Sequence, residues 1–158
     1  MKLLLVRHAI AEDRAAFGSS GKEDRLRPLT EEGRKKMRRI GDAVAGLLPE
    51  LALIATSPYT RARDSAEILA RAYPARPVLS EVVELAPTGS APNLLKFLQA
   101  QKSLPVVACV GHEPNLSQFA GWLLAGTEKS FMELRKGGAC LLDFAGRVPA
   151  GNATLLWH

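Results

Sequence analysis

The sequence predicts an α/β fold, with a mostly parallel central sheet and helices on both faces in a single three-layer domain. Short apolar runs alternate with segments in which apolar residues recur every three or four positions, a pattern typical of strand–helix–strand units. The 158 residues amount to one domain. Apolar residues make up 47% of the chain and charged residues 23%, near the averages of globular proteins, which excludes a disordered chain or a coiled coil.

The first predicted unit is an apolar strand, Lys2–Arg7, followed by a polar loop at 10–29. This loop is longer than most connections in compact domains, so it is a candidate functional loop. Thr30 is a good helix cap, and it predicts a helix that ends near Leu48.

The later elements follow from similar signals. Ser57 and Pro58, a capping residue followed by proline at the first helical position, predict the start of the second helix. The third strand, Val78–Ser80, is short, and a brief loop at 85–89 precedes a helix that starts after Ser90. The other expected elements are strands at 51–56 and 106–110, helices ending near Tyr73 and Leu124, and two strands at 139–144 and 153–157 joined as a hairpin or edge pair.

The net charge of +5 comes from one segment. Without its five basic residues the chain has 16 basic and 16 acidic residues, and the five are Arg34, Lys35, Lys36, Arg38 and Arg39. In the same segment Met37, Ile40, Val44 and Leu47 form an apolar stripe, so we expect a helix that presents its basic residues to solvent. No aromatic residues interleave with the basic ones, as single-strand binding would need. The sequence therefore predicts no nucleic-acid partner.

Neither the cysteines nor the apolar runs indicate a secreted or membrane protein. Cys109 and Cys140 lie in strand-like runs without C-x-x-C spacing, and we expect them to be reduced core thiols. The apolar run Leu3–Val6 ends at Arg7 and is too short for a signal peptide or a membrane span. We expect a cytoplasmic chain with no membrane partner.

Several chemically capable residues follow the predicted strands. Ligands of open α/β sheets bind beyond the carboxyl ends of parallel strands, where helix N-termini present free N–H groups. The residues at these positions are Arg7 and His8, Ser57 and Arg61, and Gly111 and His112. Two of the three histidines of the chain are thus expected to meet two arginines.

This combination of side chains suits phosphoryl transfer. Guanidinium groups bind phosphate oxygens and keep their charge, so Arg7 and Arg61 could hold a phosphoryl group. A neutral imidazole is a competent nucleophile near pH 7, and a second, protonated imidazole could stabilise charge on the phosphoryl oxygens. The chain has no Walker loop and no Asp/Glu cluster with ligand spacing, so we expect a site without metal or cofactor.

Three motifs resemble a known family. They are LLLVRHA at 3–9, TSPYTRARDSAEIL at 56–69 and VVACVGHEPNLS at 106–117. In this order they resemble the motifs of the histidine phosphatase (phosphoglycerate mutase-like) superfamily. The short length, the RPLT element at 27–30 and the VELAPTG segment at 83–89 are similar to the small bacterial phosphohistidine phosphatases of the SixA type.

The resemblance implies a fold and a set of roles. The fold would be phosphoglycerate mutase-like, in a minimal form without a lid insertion, and His8 would be the transiently phosphorylated nucleophile. Arg27 would be an auxiliary pocket arginine, or else a surface arginine. Ala9 stands where much of the superfamily has glycine, which is harmless unless φ is positive there. The other members of the phosphate pocket would be Arg7, Arg61 and His112.

The sequence shows no obvious general acid, which the hydrolysis of an ordinary phosphate ester needs. Glu84 is the best candidate, although it also fits a strand-end carboxylate or a partner of a pocket arginine. The P–N bond of phosphohistidine is labile, so a weak acid or none would suffice for it. The short loop at 85–89 predicts an open site, which suits a phosphohistidine on the surface of another protein.

We therefore expect a phosphatase that hydrolyses phosphohistidine on a protein substrate through phospho-His8. The alternative is a phosphatase of small phosphoesters or phosphopeptides that uses Glu84 as its acid. A mutase is disfavoured because the short loop cannot close the site against water. A module that binds phosphoproteins without turnover is the alternative from a different class.

Overall fold

The computed structural model describes residues 1–127, 129–146 and 148–158, and it confirms the predicted α/β fold. The strands are β1 (Lys2–Arg7), β2 (Leu53–Thr56), β3 (Val78–Glu81), β4 (Val106–Gly111), β5 (Ala139–Asp143) and β6 (Thr154–Trp157). The helices are α1 (Arg14–Ser19), α2 (Glu31–Leu47), α3 (Thr60–Arg71), α4 (Ala91–Ala100) and α5 (Asn115–Ala125), with short 3₁₀ turns at Asp24–Leu26 and Val83–Leu85.

The strands form one six-stranded sheet in the order β3-β2-β4-β1-β5-β6. The first four strands are parallel, whereas β5 runs antiparallel to β1 and β6 antiparallel to β5. The predicted pair of strands near the C-terminus is thus confirmed as an antiparallel pair. Because β1, β2 and β4 are parallel neighbours, the residues that follow them meet at one edge of the sheet.

Side chains that alternate along β1 fill two separate cores. Leu4 and Val6 pack in the core beneath α2 and α3, which also contains Met37. Leu3 and Leu5 pack in the opposite core, with Phe119 and other residues of α4 and α5. Burial of each such side chain contributes about 1.5–3 kcal/mol. The two cores confirm three layers with helices on both faces.

The loop predicted at 10–29 contains α1 and a 3₁₀ turn. Its ends meet in an isolated bridge between Ala11 and Leu29, and Asp13 caps α1 by accepting a hydrogen bond from Ala16 N–H at 2.9 Å. None of the residues of α1 is buried. A six-residue helix without an apolar stripe leaves no periodic signal, and for that reason the sequence did not predict it.

The predicted start of the second helix is wrong. Helix α3 begins at Thr60 and has no side-chain cap, although Ser57 had been expected to cap it. The Ser57 hydroxyl instead accepts a hydrogen bond from Tyr59 N–H at 3.2 Å and contacts His112. The Thr30 cap of α2 is confirmed, since Thr30 Oγ1 accepts a hydrogen bond from Gly33 N–H at 3.0 Å.

The basic helix α2 buries most of its expected stripe. Met37 and Val44 are buried, but Leu47 is 65% exposed, and Leu48 is buried in its place. The difference arises because Leu48 lies at the C-cap, with φ −133°, where the chain has left the helix. Cys109 and Cys140 are buried free thiols, and burial raises the pKa of each to about 12. No helix in the described part of the chain has the length and apolar character needed to cross a membrane.

Candidate active site

The carboxyl edge of the sheet holds a pocket of about 720 Å³. Arg7, His8, Arg61 and His112 all line it, so the structure brings together the two arginines and two histidines that the sequence analysis expected to meet. Arg27 lines the same pocket. The chain segments that carry these residues are the end of β1, the first turn of α3, the turn after β4 and the 3₁₀ segment before α2.

His8 is held in the form that a nucleophile requires. Its backbone N–H donates to Gly111 O at 3.0 Å, and its Nδ1–H donates to Ala9 O at 2.7 Å. This bond assigns the proton to Nδ1 and leaves the lone pair on Nε2. The pKa of His8 is lowered to about 4, chiefly by burial and also by the charges of nearby arginines, against the opposing effect of the bond to Ala9. The imidazole is therefore neutral at pH 7.

His112 stands beside His8, with 5.0 Å between the two ring centroids. Its Nε2 is 2.9 Å from Ser57 Oγ. That hydroxyl accepts from Tyr59 N–H and has its own hydrogen to donate to Nε2; in the tautomer that accepts this bond, His112 carries its proton on Nδ1. The pKa of His112 is lowered to about 3, chiefly by burial and also by the neighbouring His8 and Arg61. In this structure the second imidazole is neutral, not protonated as the sequence-based interpretation supposed, but its Nδ1–H is still a donor.

Arg61 is buried and firmly held. Its Nη1 donates to the backbone oxygen of Asp24 at 2.9 Å, and its Nη2 donates to Asp24 Oδ2 at 3.1 Å. The guanidinium also lies over the Tyr59 ring, 4.9 Å from the centroid. Among the described residues, none offers a hydrogen-bond partner to the remaining nitrogen, Nε.

Arg7 is anchored in a similar way at the other side of the pocket. Its Nη1 donates to Leu134 O at 2.6 Å, and Glu133 lies 3.6 Å from the same nitrogen. Its Nε, like that of Arg61, has no partner. Both arginines are thus fixed at their outer nitrogens.

Three buried pocket nitrogens have no hydrogen-bond partner among the described residues: Arg7 Nε, Arg61 Nε and His112 Nδ1. Buried polar groups are nearly always hydrogen-bonded, and an unpaired one costs about 1–3 kcal/mol. The three unpaired nitrogens come from three chain segments that meet at one site. An anion with several acceptor oxygens, such as a phosphoryl group, would satisfy them together.

Asp24, which the sequence did not single out, links the arginines of the pocket. Its Oδ1 accepts from Arg27 Nε at 2.9 Å, and Arg14 lies 3.6 Å from the same oxygen. Partial burial opposes ionisation of Asp24, but the hydrogen bond from Arg27 and the charges of Arg61, Arg27 and Arg14 lower its pKa overall. Arg27 also donates to Glu12 O at 2.8 Å, and it lines the pocket. The spacing of three between Asp24 and Arg27 was the only local signal.

Three other predicted site residues do not line the pocket. Ser57 lies behind His112, as described above, and Gly111 supplies the carbonyl that accepts from His8 N–H. Glu84 lines a separate cavity of about 230 Å³, together with Asn115 and Trp122. The residues of its segment that do reach the pocket are Pro87 and Thr88.

The pocket also contains residues that no sequence pattern indicated. Tyr59 packs its ring against both Arg61 and His112, and Lys136 lies at the lining. Glu113 lines the pocket too, and its carboxylate accepts hydrogen bonds from Ser117 Oγ at 2.5 Å and Leu134 N–H at 3.2 Å. Glu113 directly follows His112, which was the available signal. In the described part of the chain no three His, Cys, Asp or Glu residues are grouped so as to hold a metal ion.

Comparison with known proteins gives concordant results. An uncharacterised protein of Picosynechococcus sp. (strain PCC 7002) is 35% identical over 153 residues, which are 95% of this chain and 90% of that protein. The structure of the protein histidine phosphatase SixA complexed with tungstate has a TM-score of 0.84 at 22% identity, covering 99% of this chain and 95% of the other. A mycobacterial glucosyl-3-phosphoglycerate phosphatase has a TM-score of 0.77 at 13% identity, with coverage of 99% and 98%.

The solved structures confirm the fold, and the sequence matches identify the family. The family model described as histidine phosphatase superfamily, branch 1, matches residues 3–83. This range includes Arg7 at the end of β1, His8 directly after it, and Arg61 in α3. The chain therefore belongs to the histidine phosphatase superfamily and is a phosphatase.

Proposed function

We propose that this phosphatase hydrolyses phosphohistidine on a protein substrate, without a metal, through a phospho-His8 intermediate. The observation that carries the proposal is the convergence of three unpartnered donors with a neutral imidazole whose Nε2 lone pair is free. The likeness to SixA, a protein histidine phosphatase, supports this substrate class.

In the first step His8 Nε2 attacks phosphorus in line with the departing imidazole of the substrate. The P–N bond to the substrate breaks as the P–Nε2 bond forms, and the leaving imidazole takes a proton from solvent. The positive charge that develops on His8 is stabilised by the Nδ1–H bond to Ala9 O. The donors of Arg7, Arg61 and His112 bind the phosphoryl oxygens throughout the transfer.

In the second step water attacks the phosphorus of phospho-His8. The P–Nε2 bond breaks, inorganic phosphate leaves, and Nε2 regains its lone pair while the water proton passes to solvent or phosphate. No side chain changes its protonation state over the complete cycle. The depressed pKa of His8 favours this step, because a weakly basic imidazole is a good leaving group.

The carboxylates near the pocket support a P–N substrate over a phosphate ester. Glu84 lines a different cavity. The carboxylates of Asp13, Asp24 and Glu113 already accept hydrogen bonds from the protein, and Glu12 is exposed. An alkoxide leaving group needs a positioned acid, whereas the imidazole of phosphohistidine can leave with a proton from solvent.

The test compares phosphate release from a phosphohistidine-bearing protein and from para-nitrophenyl phosphate. Wild type is expected to act rapidly on the phosphoprotein and slowly on the ester, and His8→Ala is expected to be inactive on both. His158→Ala, which changes an exposed histidine outside the pocket, is the matched control. Full activity of His8→Ala would exclude the mechanism.

Two other outcomes would change the assignment. Fast ester turnover that is lost in Glu84→Gln would establish a general phosphoesterase with an acid at that position. Stoichiometric binding of the phosphoprotein without phosphate release would establish a binding module.

Phosphorylated enzyme trapped by rapid acid-free quenching should carry the phosphoryl group on His8.

A further inference from the structure

We infer that Asp24 is a positioning residue for the phosphoryl-binding arginines: it fixes the orientation of Arg61 and Arg27 toward the pocket. The inference rests on the proposed function of the pocket as a phosphoryl site. Asp24 lies in the segment between α1 and α2, outside the three motifs of the sequence, and the proposed mechanism assigns it no step.

The contacts of Asp24 account for the orientation of Arg61. Both terminal nitrogens of that guanidinium donate to Asp24, one to its backbone oxygen at 2.9 Å and one to Oδ2 at 3.1 Å. A planar guanidinium bound at two nitrogens cannot rotate about its long axis. The third nitrogen, Nε, is then held in one direction, and it is the one that lacks a partner.

The same carboxylate fixes a second arginine. Asp24 Oδ1 accepts from Arg27 Nε at 2.9 Å, while Arg27 Nη1 is held by Glu12 O at 2.8 Å. Arg27 is therefore bound at two points and faces the same pocket. One carboxylate thus sets the relative position of two guanidinium groups.

The charges of the pocket make this carboxylate necessary. Arg7, Arg14, Arg27 and Arg61 all line the pocket, and like charges at this distance repel one another. Asp24 contacts three of the four. Without it, Arg27 and Arg61 would separate toward solvent, and the Arg61 Nε would leave the position at which it can meet a phosphoryl oxygen.

The fold of the segment keeps Asp24 in place. The bridge between Ala11 and Leu29 closes the base of the 12–28 segment, and Thr30 N–H donates to Ile10 O at 3.0 Å. The segment therefore returns to the sheet edge on which His8 lies. The segment thus brings Asp24 and Arg27 to the pocket.

The first experiment measures kcat and KM for potassium phosphoramidate in Asp24→Ala and Asp24→Asn. A reacting group displaced by about 1 Å costs on the order of 100-fold in rate, so Asp24→Ala should lower kcat about that much with a smaller change in KM. Asp24→Asn keeps the shape and one acceptor oxygen, and an intermediate loss of about 10-fold is expected. Asp64→Asn is the matched control, because Asp64 also pairs with an arginine, Arg34 at 2.5 Å, but outside the pocket.

A double-mutant cycle separates positioning from a general structural effect. If Asp24 acts through Arg61, then Asp24→Ala should cost little further kcat once Arg61→Lys is present. Losses that simply multiply, or a wild-type kcat in Asp24→Ala, would overturn the inference. Asp24→Asn serves in the cycle if the alanine variant does not fold.

Orthovanadate binding tests the positioning role of Asp24 without requiring turnover, and so independently of the proposed function. Asp24→Ala is expected to weaken vanadate binding at least 10-fold, with wild-type affinity in Asp64→Asn. If wild type binds vanadate in an Asp24-dependent way but releases no phosphate from any substrate, the proposed function fails and the positioning role stands. Equal vanadate affinity in wild type and Asp24→Ala would overturn the positioning role whatever the activity.

Discussion

The tautomer of His8, the proposed nucleophile, is set by the residue that follows it. The carbonyl of Ala9 holds the imidazole proton on Nδ1, and the Ala9 N–H donates to Ser65 Oγ at 3.0 Å. Arg76 is the only residue other than glycine, in the described part of the chain, with positive φ. Alanine is therefore unstrained at position 9, and the departure from the glycine of the wider superfamily leaves the geometry of His8 intact.

The environment of His8 predicts a neutral imidazole well below pH 6.5. Because burial and nearby arginines lower its pKa to about 4, His8 should remain unprotonated at pH 5.5. NMR titration of the histidine ring protons, assigned through His8→Ala and His112→Ala, measures this directly. An ordinary midpoint near 6.5 would contradict it.

Ser57 was expected to bind substrate and to cap a helix, but the structure gives it the task of supporting His112. Ser57→Ala removes the hydrogen bond to Nε2. We expect kcat to fall about 10-fold, because the free energy of one hydrogen bond corresponds to roughly that factor. Steady-state kinetics on phosphoramidate checks this, with Ser19→Ala on exposed α1 as the control. An unchanged kcat would show that ring packing alone orients His112.

At the scale of elements, helix α2 packs closely against the segment that follows His8. A Cβ on Gly33, in the first turn of the helix, would lie 2.0 Å from the backbone oxygen of Ile10. The backbone of Ile10 cannot move aside for an added Cβ as the end of a flexible side chain could. The close approach of helix and loop therefore depends on glycine at this position.

Two glycines of α2 offer a paired test of this contact. Gly33→Ala should destabilise the protein by about 1–3 kcal/mol through overpacking. Gly46→Ala, with nothing within 4 Å of the added Cβ, should stabilise it by about 0.5–1 kcal/mol. Urea unfolding of the two variants measures both values. Equal stability of the two would refute the bracing role of the close contact.

The elements that sequence analysis predicted are those with strong local signals. The stripe that contains Met37 and Val44 gave α2, and apolar runs gave the strands. Helix α1 was missed because it buries nothing. Ser57 was misassigned because a capping signal is local, whereas its actual partner His112 is 55 residues away.

The sequence predicted the pocket residues that lie near strand ends, but it did not predict the pocket residue Asp24, which lies in a loop. His8, Arg7, Arg61 and His112 follow strands, and the rule for parallel sheets placed them together. Asp24 meets Arg61 across 37 residues, and no pattern in a polar loop specifies such a contact. The sequence position of Glu84 suits a general acid, but its side chain lines a different cavity. Pro87, three residues further along the chain, lines the pocket instead.

At the scale of the whole molecule, the pocket makes stability depend on pH. The pKa of His8 is lowered to about 4 and that of His112 to about 3, whereas both titrate near 6.5 in the unfolded chain. Between these values the unfolded state binds more protons than the folded state. The stabilisation is complete above pH 6.5 and is lost progressively as the pH falls.

Urea unfolding at pH 7.5 and pH 4.5 should therefore show a marked loss of stability on acidification. For His8 alone the full shift corresponds to about 3 kcal/mol. His8→Gln should flatten the pH dependence, while His158→Gln should not. A pH dependence that is identical in the three proteins would show that other groups cause the acid instability.

The central place of β1 in the sheet bears on how the enzyme is synthesised. Strand β1, which His8 directly follows, is the first of the six to leave the ribosome, yet its neighbours are β4 and β5, and Leu5 lies in register between Cys109 and Cys140. Until those later strands have been translated, both edges of β1 stay open, and its run of leucines is a site for aggregation or chaperone binding. The sheet edge beside His8 is thus complete only once β4 and β5 have been translated and have paired with β1.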